Sequence, residues 1–416
     1  METFIIILIL FLILAKLAWE TFLTLLNMAE VRKRSASPSQ QILEVMDRDT
    51  YQKSTQYTIA KEKLGLVSGF YDTAILLLVL FSGALPWFYA FFSIPGADFY
   101  VLYESAYIIT AIIIMSVFGI PLDYYARFNL EERFGFNKST IKLWITDKLK
   151  GLVIGLILGI LIISLIILFI SRLGEYWWIW AFMALFAFQV VMMILYPMII
   201  LPWFNKLTPL EDNELKTRLM DLAQRTGFKA RSIQVMDGSK RSGHSNAFFT
   251  GIGRFRRIVL FDTLIEQMTH DELEAVLAHE IGHYKKGHVP KMLALSAGMS
   301  LAGLWVLNLL LNAPFFIQAF GFDPDHAGPG PALLLFGLLS GLFTFWLSPL
   351  FSMLSRKHEY ESDRFAREHT GSEPMSQALL KLSEKNLSNL TPHPLYSGFY
   401  YSHPTLFERI KALQSG

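Results

Sequence analysis

Residues 279–283 of this chain read His279-Glu280-Ile281-Gly282-His283. Positions four apart stack on one face of a helix, so two imidazoles can reach a single metal ion while the glutamate beside the first can contact a water on that ion. With ten histidines in 416 residues, chance would supply such a pattern on the order of once per hundred chains. Asp271, Glu272 and Glu274 lie just upstream, where a helix dipole favours acidic side chains. The pattern points to one zinc ion per chain, with His279 and His283 as ligands and Glu280 as general base.

Catalytic zinc takes three protein ligands and keeps a fourth position open. The chain contains no cysteine, which excludes disulfides, thiolate ligands and a cysteine nucleophile, and leaves histidine or carboxylate for the third place. His288 is nearest in sequence. At about 100° per residue it falls on the opposite face of a continued helix, so it is expected to be a solvated helix-end histidine. Residues 355–363 offer Glu359 and Asp363, four apart on one face, with His358 and Glu361 directed elsewhere. That pair suits a ligand plus an acceptor for the free N–H of a zinc histidine. It equally suits an ordinary charged helix leaving a membrane, with Arg356 and Lys357 reaching for the interface.

The elements that must position these groups belong to a chain that is 53% hydrophobic and 17% charged, well below the roughly 25% charged of globular domains. Such a chain needs lipid, and its net charge of +2 gives no sign of nucleic acid as a partner. Apolar runs near 4–26, 66–93, 100–123, 151–171, 176–203, 291–316 and 332–354 have the roughly 20 residues needed to cross about 30 Å of hydrocarbon. They predict a mainly α, multi-pass protein of about seven transmembrane helices, the first retained because no cleavage site follows it. Cations crowd the first loop (Arg32, Lys33, Arg34, Arg48, Lys53, Lys61, Lys63) and the third (Arg127, Arg133, Lys138, Lys142, Lys148, Lys150). The second loop, around 95–99, and the sixth, 316–331, carry none, so the first and third are expected to face the cytoplasm. This topology joins 204–290 and 355–416 on the cytoplasmic side, which favours Glu359 as the third ligand. The expected division is 1–203 with spans 1–5, 204–290 as a peptidase domain, 291–354 with spans 6–7, and 355–416 as a C-terminal catalytic segment.

Within 204–290 the pattern predicts an amphipathic helix over 209–226, strands at 232–236 and 257–261, and a helix over 271–285, a zincin-like unit with a small β-sheet. Residues 244–249 read either as a buried hairpin strand or as an exposed edge, at Asn246 and Ala247, that pairs with a substrate backbone. His403 or Arg409 could donate to an oxyanion opposite the metal, although a histidine before proline is more often a turn residue. Lys16 and Glu20, four apart in the first span, are a membrane-buried ion pair or chamber-facing groups.

Taken together, these residues resemble the integral-membrane CaaX prenyl endopeptidases of the a-factor-converting type. The resemblance runs through Glu131-Glu132-Arg133-Phe134-Gly135-Phe136-Asn137-Lys138, residues 202–210, Arg241-Ser242-Gly243-His244-Ser245-Asn246-Ala247-Phe248-Phe249, residues 258–264, the 279–283 motif, Glu359 to Asp363 and Tyr401-Ser402-His403-Pro404. It implies Glu359 as third zinc ligand, Asp363 behind the site, His403 within it, Arg409 near it, the edge reading for Asn246 and Ala247, and seven helices around a water-filled chamber. The implied function is a zinc metalloendopeptidase acting near the C-terminus of CaaX-type peptides, prenylated or not, with membrane lipid as its other partner. Glu280 would take a proton from water and return it to the leaving amine. A quality-control protease with the same site is the main alternative. A seven-helix transporter would need paired mid-depth charges and two similar halves, neither of which is evident. The C-terminus shows no retention address, which favours a bacterial plasma membrane.

Overall fold

The computed structural model describes residues 1–92, 100–228, 232–250 and 257–415; the expected second loop at 95–99 lies outside them. Among the described residues, seven helical stretches are long and apolar enough to cross a membrane. Five come first: α1 (Glu2–Ala36), α2 (Arg48–Phe81), α3 (Tyr100–Phe118), α4 (Ile141–Arg172) and α5 (Trp177–Leu195). Phe4, Ile7, Phe11 and Leu14 of α1, and Leu152, Val153, Ile157, Ile160 and Leu161 of α4, stay exposed on the bundle, surface that hydrocarbon covers without cost.

Two expectations about these helices need correcting. The run 66–93 is not one span: α2 ends at Phe81, and Gly83, at φ +77, turns the chain into a separate helix, Ala84–Tyr89. A residue with a Cβ resists that left-handed conformation. Much of the cation-rich loop sequence is also helical. Arg48 to Lys63 are the first turns of α2, and Lys142, Lys148 and Lys150 belong to α4. Lys16 and Glu20 pair at 3.5 Å and line a cavity of about 460 Å³ that also meets Asp72.

A polar unit follows, with β1 (Leu207–Pro209), α6 (Glu214–Arg225), β2 (Ser232–Met236), β3 (Ala247–Thr250), β4 (Arg257–Phe261) and α7 (His270–Lys285). The expected 209–226 helix begins only at Glu214, where the Asn213 side chain accepts the Lys216 N–H; Pro209 closes β1 instead. The sheet order is β1-β2-β4-β3, with β2 and β4 parallel and the outer pairs antiparallel. The chain then returns through α8 (His288–Leu311) and α9 (Pro329–Thr344) to α10 (Ser348–Thr370), α11 (Ser372–Lys385) and α12 (Leu406–Gln414). The expected boundaries at 290 and 354 therefore fall inside α8 and α10. One apolar core draws on both polar segments, from Leu219, Ile258 and Leu277 to Phe365, Met375 and Leu413. The cation-rich ends of the membrane helices bond to the same two polar segments: Ser54 donates to the Leu387 and Ser388 carbonyls, and Arg241 pairs with Asp147 at 2.8 Å.

Within this unit α7 lies tightly against α10. A Cβ at Gly282 would stand 3.0 Å from the Ser362 Cα and 3.2 Å from its carbonyl oxygen, backbone that cannot rotate aside. Glycine here lets α7 lie directly on α10. Gly282→Ala should therefore cost about 1–3 kcal/mol through overpacking, seen as a lower unfolding temperature in detergent together with weaker metal retention. Parent-like values for both would mean that the two helices can separate freely.

Candidate metal centre

The direction of α7 is set at its first turn. Thr269 and Glu272 form a capping box, and the buried Glu272 carboxylate also takes the Lys381 ammonium at 2.7 Å. One turn on, Glu274 receives Arg218 and Arg225, each at 2.8 Å. With Leu273, Leu277 and Ile281 buried in the core, His279 and His283 turn toward α10. Their Nε2 atoms stand 3.1 Å apart. Glu359 Oε1 lies 3.2 Å from His283 Nε2, and Oε2 lies 3.5 Å from His279 Nε2. Ligand atoms about 2.0–2.1 Å from a tetrahedral centre are roughly 3.3 Å from one another, so the three donors have the spacing of a shared ion.

The chemistry of the donors fits a cation as well. His279 Nδ1 faces Asp363 Oδ1 at 2.8 Å, and His283 Nδ1 faces His288 Nδ1 at 2.9 Å. With both inner nitrogens engaged outward, two Nε2 lone pairs and a carboxylate point at one place. Glu359 Oε2 is buried and accepts no hydrogen bond among the described residues. Positive charge must lie at that focus. Without a metal a proton serves: burial works against it, but Asp363 and Glu359 prevail and raise the His279 imidazole to about 9. A metal ion has to displace that proton. Burial also pushes the Glu280 carboxyl up, against the pull of His279 and His283, which makes it a better proton acceptor than an exposed glutamate.

Behind Asp363 lies Arg409, buried and forked onto both carboxylate oxygens, Nε to Oδ2 at 2.8 Å and a terminal nitrogen to Oδ1 at 2.6 Å. Its other terminal nitrogen is 3.5 Å from Glu359 Oε2. Arg409, one of the two expected oxyanion donors, is thus occupied with the carboxylates. Burial opposes its charge, but the Asp363 hydrogen bond and charge hold the guanidinium's pKa above its ordinary value. His403 occupies the open side, its ring 62% exposed and Nε2 3.4 Å from Glu359 Oε1. It lines a cavity of about 780 Å³ with Tyr57, His244, Asn386 and Tyr401. The backbone around it is held by Arg356, which donates to the carbonyls of Ser397, Gly398 and Tyr401.

The segment 244–249 is divided. His244 stacks on Phe136 at 4.0 Å and reaches Asn386 at 3.1 Å, while β3 pairs, among the described residues, with β4 on one side and packs against α7. Ala247 donates its N–H to the Asn246 side-chain oxygen at 2.8 Å. The structure corrects the expectation for His288, which is 3% exposed rather than solvated. Gly287, at φ +68, ends one helix and α8 starts afresh, so the 100° progression does not carry across. His288 bonds Glu361 at 2.9 Å and stacks on His358 at 4.0 Å. The glycine five residues after Gly282 was the one sequence signal for this turn.

Comparison with known proteins bears on the whole chain. Residues 27–206 match the family described as CAAX prenyl protease N-terminal, five membrane helices, and residues 209–416 match peptidase family M48. The chain is 36% identical to a CAAX prenyl protease 1 of Saccharomyces cerevisiae, with 96% of this chain and 93% of that one covered. It is 33% identical to a homolog of that name in Arabidopsis thaliana (95% and 94% covered) and 28% identical to one in Homo sapiens (95% and 92%). The crystal structure of S. mikatae Ste24p superimposes with a TM-score of 0.90 at 34% identity over 98% of each chain.

The Arg409–Asp363 fork generates a stability prediction. Arg409→Ala leaves a buried carboxylate without its counter-charge, which costs about 3–5 kcal/mol, whereas replacing both partners by apolar residues costs much less. Metal-free Arg409→Ala should unfold at a clearly lower temperature than the double variant Arg409→Met with Asp363→Leu. The reverse order would mean that the pair carries no buried charge compensation.

Proposed function

The chain belongs to peptidase family M48 and is an integral membrane metalloprotease; from that premise we propose that it is a zinc metalloendopeptidase cutting near the C-terminus of CaaX-type peptides, prenylated or not. The observation that carries this reading is the convergence of His279, His283 and Glu359 within 3.1–3.5 Å, with Asp363 behind His279. In this reading those three residues hold one zinc ion. When bound, zinc supplies Lewis acidity toward a carbonyl and brings the pKa of its water toward neutrality. Glu280, raised by burial, takes the proton of the attacking water and passes it to the leaving amine. His403, exposed at the mouth of the site, donates to the developing oxyanion. Asp363 fixes the His279 ring and Arg409 holds Asp363. The edge of β3 that is unpaired among the described residues, with Ala247 at its start and Asn246 just before it, pairs with an extended substrate backbone.

The catalytic unit in this proposal consists of 204–290 and 355–416, which the shared core from Leu219 to Leu413 supports, while 1–203 and 291–354 are the membrane part. The cation-rich ends of α2 and α4 lie on the same side as that unit, so the positive-inside bias supports a cytoplasmic site. The CaaX substrate class rests on the names of the relatives. Those named above come from eukaryotes, and nothing in the fold or the relatives supports the expected bacterial plasma membrane.

Glu280→Gln should keep zinc at the parent's stoichiometry while peptide hydrolysis falls by about 10²–10⁴-fold; Glu359→Ala should lose most of its zinc. Metal analysis beside a cleavage assay on prenylated and unprenylated CaaX peptides, read by mass spectrometry, separates these outcomes. Equal activity of Glu280→Gln and parent removes Glu280 from the mechanism, and cutting confined to unfolded membrane segments removes the CaaX reading.

Orientation has its own test, made clean by the absence of native cysteine. A cysteine at the exposed Asp325 should react with an impermeant thiol reagent supplied on the non-cytoplasmic face, outside the intact cell or within the lumen of a compartment that the cytoplasm surrounds. One at the exposed Gln224 should not. The opposite labelling places the site on the non-cytoplasmic face.

A further inference from the structure

The outward side of His283 is as fully built as that of His279. His283 points Nε2 at Glu359, so its Nδ1 faces away and meets His288 Nδ1 at 2.9 Å. Two ring nitrogens at that distance share one proton. A neutral His283 that keeps its Nε2 lone pair for a metal must carry its proton on Nδ1, so it donates and His288 Nδ1 accepts. The proton of His288 then sits on Nε2, where Glu361 Oε2 accepts it at 2.9 Å. Only one arrangement of protons satisfies the series. His288 has little freedom to depart from it, being 3% exposed and stacked on His358 with the rings inclined by 15°. Its position follows from Gly287, whose positive φ ends α7 and starts α8 with His288 as first residue.

We propose that His288 and Glu361 are positioning residues for the metal site, an imidazole-carboxylate arm that fixes the ring orientation and tautomer of His283 as Asp363 does for His279. The inference rests on the reading of His279, His283 and Glu359 as zinc ligands. The two arms differ in one respect. Asp363 contacts its ligand directly, whereas Glu361 acts through a second imidazole, so truncation at 361 has a weaker effect than truncation at 288. Because α8 continues into a membrane span, the arm also ties the catalytic helix to the bundle at the point where the two meet.

The test uses the full chain purified in detergent. Zinc retention against a competing chelator is measured, together with the visible absorption of the cobalt(II)-substituted protein, which reports ligand geometry without turnover. His288→Ala should weaken retention by about 10–100-fold, the range for loss of a ligand's outer partner, and alter the cobalt bands. His288→Asn, whose side-chain oxygen can stand where Nδ1 stood, should recover most of the loss. Glu361→Ala should weaken retention less than His288→Ala, and Glu361→Gln, which still accepts from His288 Nε2, should recover it. Parent-like retention and cobalt bands in His288→Ala, with Glu359→Ala depleted of zinc, overturn the arm and leave the ligand reading intact. Full zinc in Glu359→Ala overturns the ligand reading itself. If His288→Ala does not yield folded protein, Glu361→Ala decides: parent-like retention and bands there overturn the proposal.

Discussion

The arrangement depends on one close contact, the backbone of α7 laid on α10 at Gly282 and Ser362. Each helix carries half of the site. Imidazoles at 279 and 283 project from α7, and carboxylates at 359, 361 and 363 project from α10. At an ordinary spacing of 8–10 Å between helix axes, side chains set the separation. Here the backbones nearly touch, and two imidazole nitrogens and a glutamate carboxylate meet within 3.1–3.5 Å. The glycine inside the 279–283 motif is therefore part of the geometry that brings these groups together. It also places Phe365 and Ile281 in one core, so packing and ligation support each other.

The membrane imposes the second constraint. Lipid covers exposed apolar faces, so the bundle has no need to bury them, but it admits no unpaired polar backbone. The polar chemistry is confined to one end, and the chain reaches it by helices that run on past the apolar zone. The last apolar stretch passes through α9 into α10 and ends in Glu359, Glu361 and Asp363. A helical run interrupted only by the tight turn Phe345–Leu347 thus connects the bilayer to these carboxylates, and residues held on helices are positioned more closely than residues on loops.

The sequence revealed those parts of the site that lie within one regular element. The spacing in 279–283 and the shared face of Glu359 and Asp363 follow from helix periodicity, and the observed strands at 232–236 and 257–261 match their apolar runs. What stayed hidden involves breaks and tertiary contacts. The progression from His279 to His288 fails because Gly287 restarts the helix. The 66–93 run divides at Gly83, and Leu207–Pro209 joins a sheet because β2 offers it an edge. From residue types, Arg409 could have served an oxyanion, and only the fold shows its fork on Asp363. Local propensity does not contain that partner choice.

Charge balance connects these observations. Three carboxylates, Glu280, Glu359 and Asp363, gather around two imidazoles with one guanidinium, Arg409, behind them. Uncompensated charge in such surroundings is costly. With all three carboxylates ionised and the imidazoles neutral, Arg409 leaves two negative charges to be met, which is the charge of a divalent ion. The metal-free chain reaches partial compensation by holding a proton on His279, whose pKa rises to about 9, and by raising that of Glu280. With a divalent ion held there, His279 would give up its proton and Glu280 would ionise, the state in which that residue can accept a proton. In the proposed reading, metal binding and ionisation of Glu280 would thereby be coupled through charge, with the buried Arg409–Asp363 fork holding the remaining charge in place.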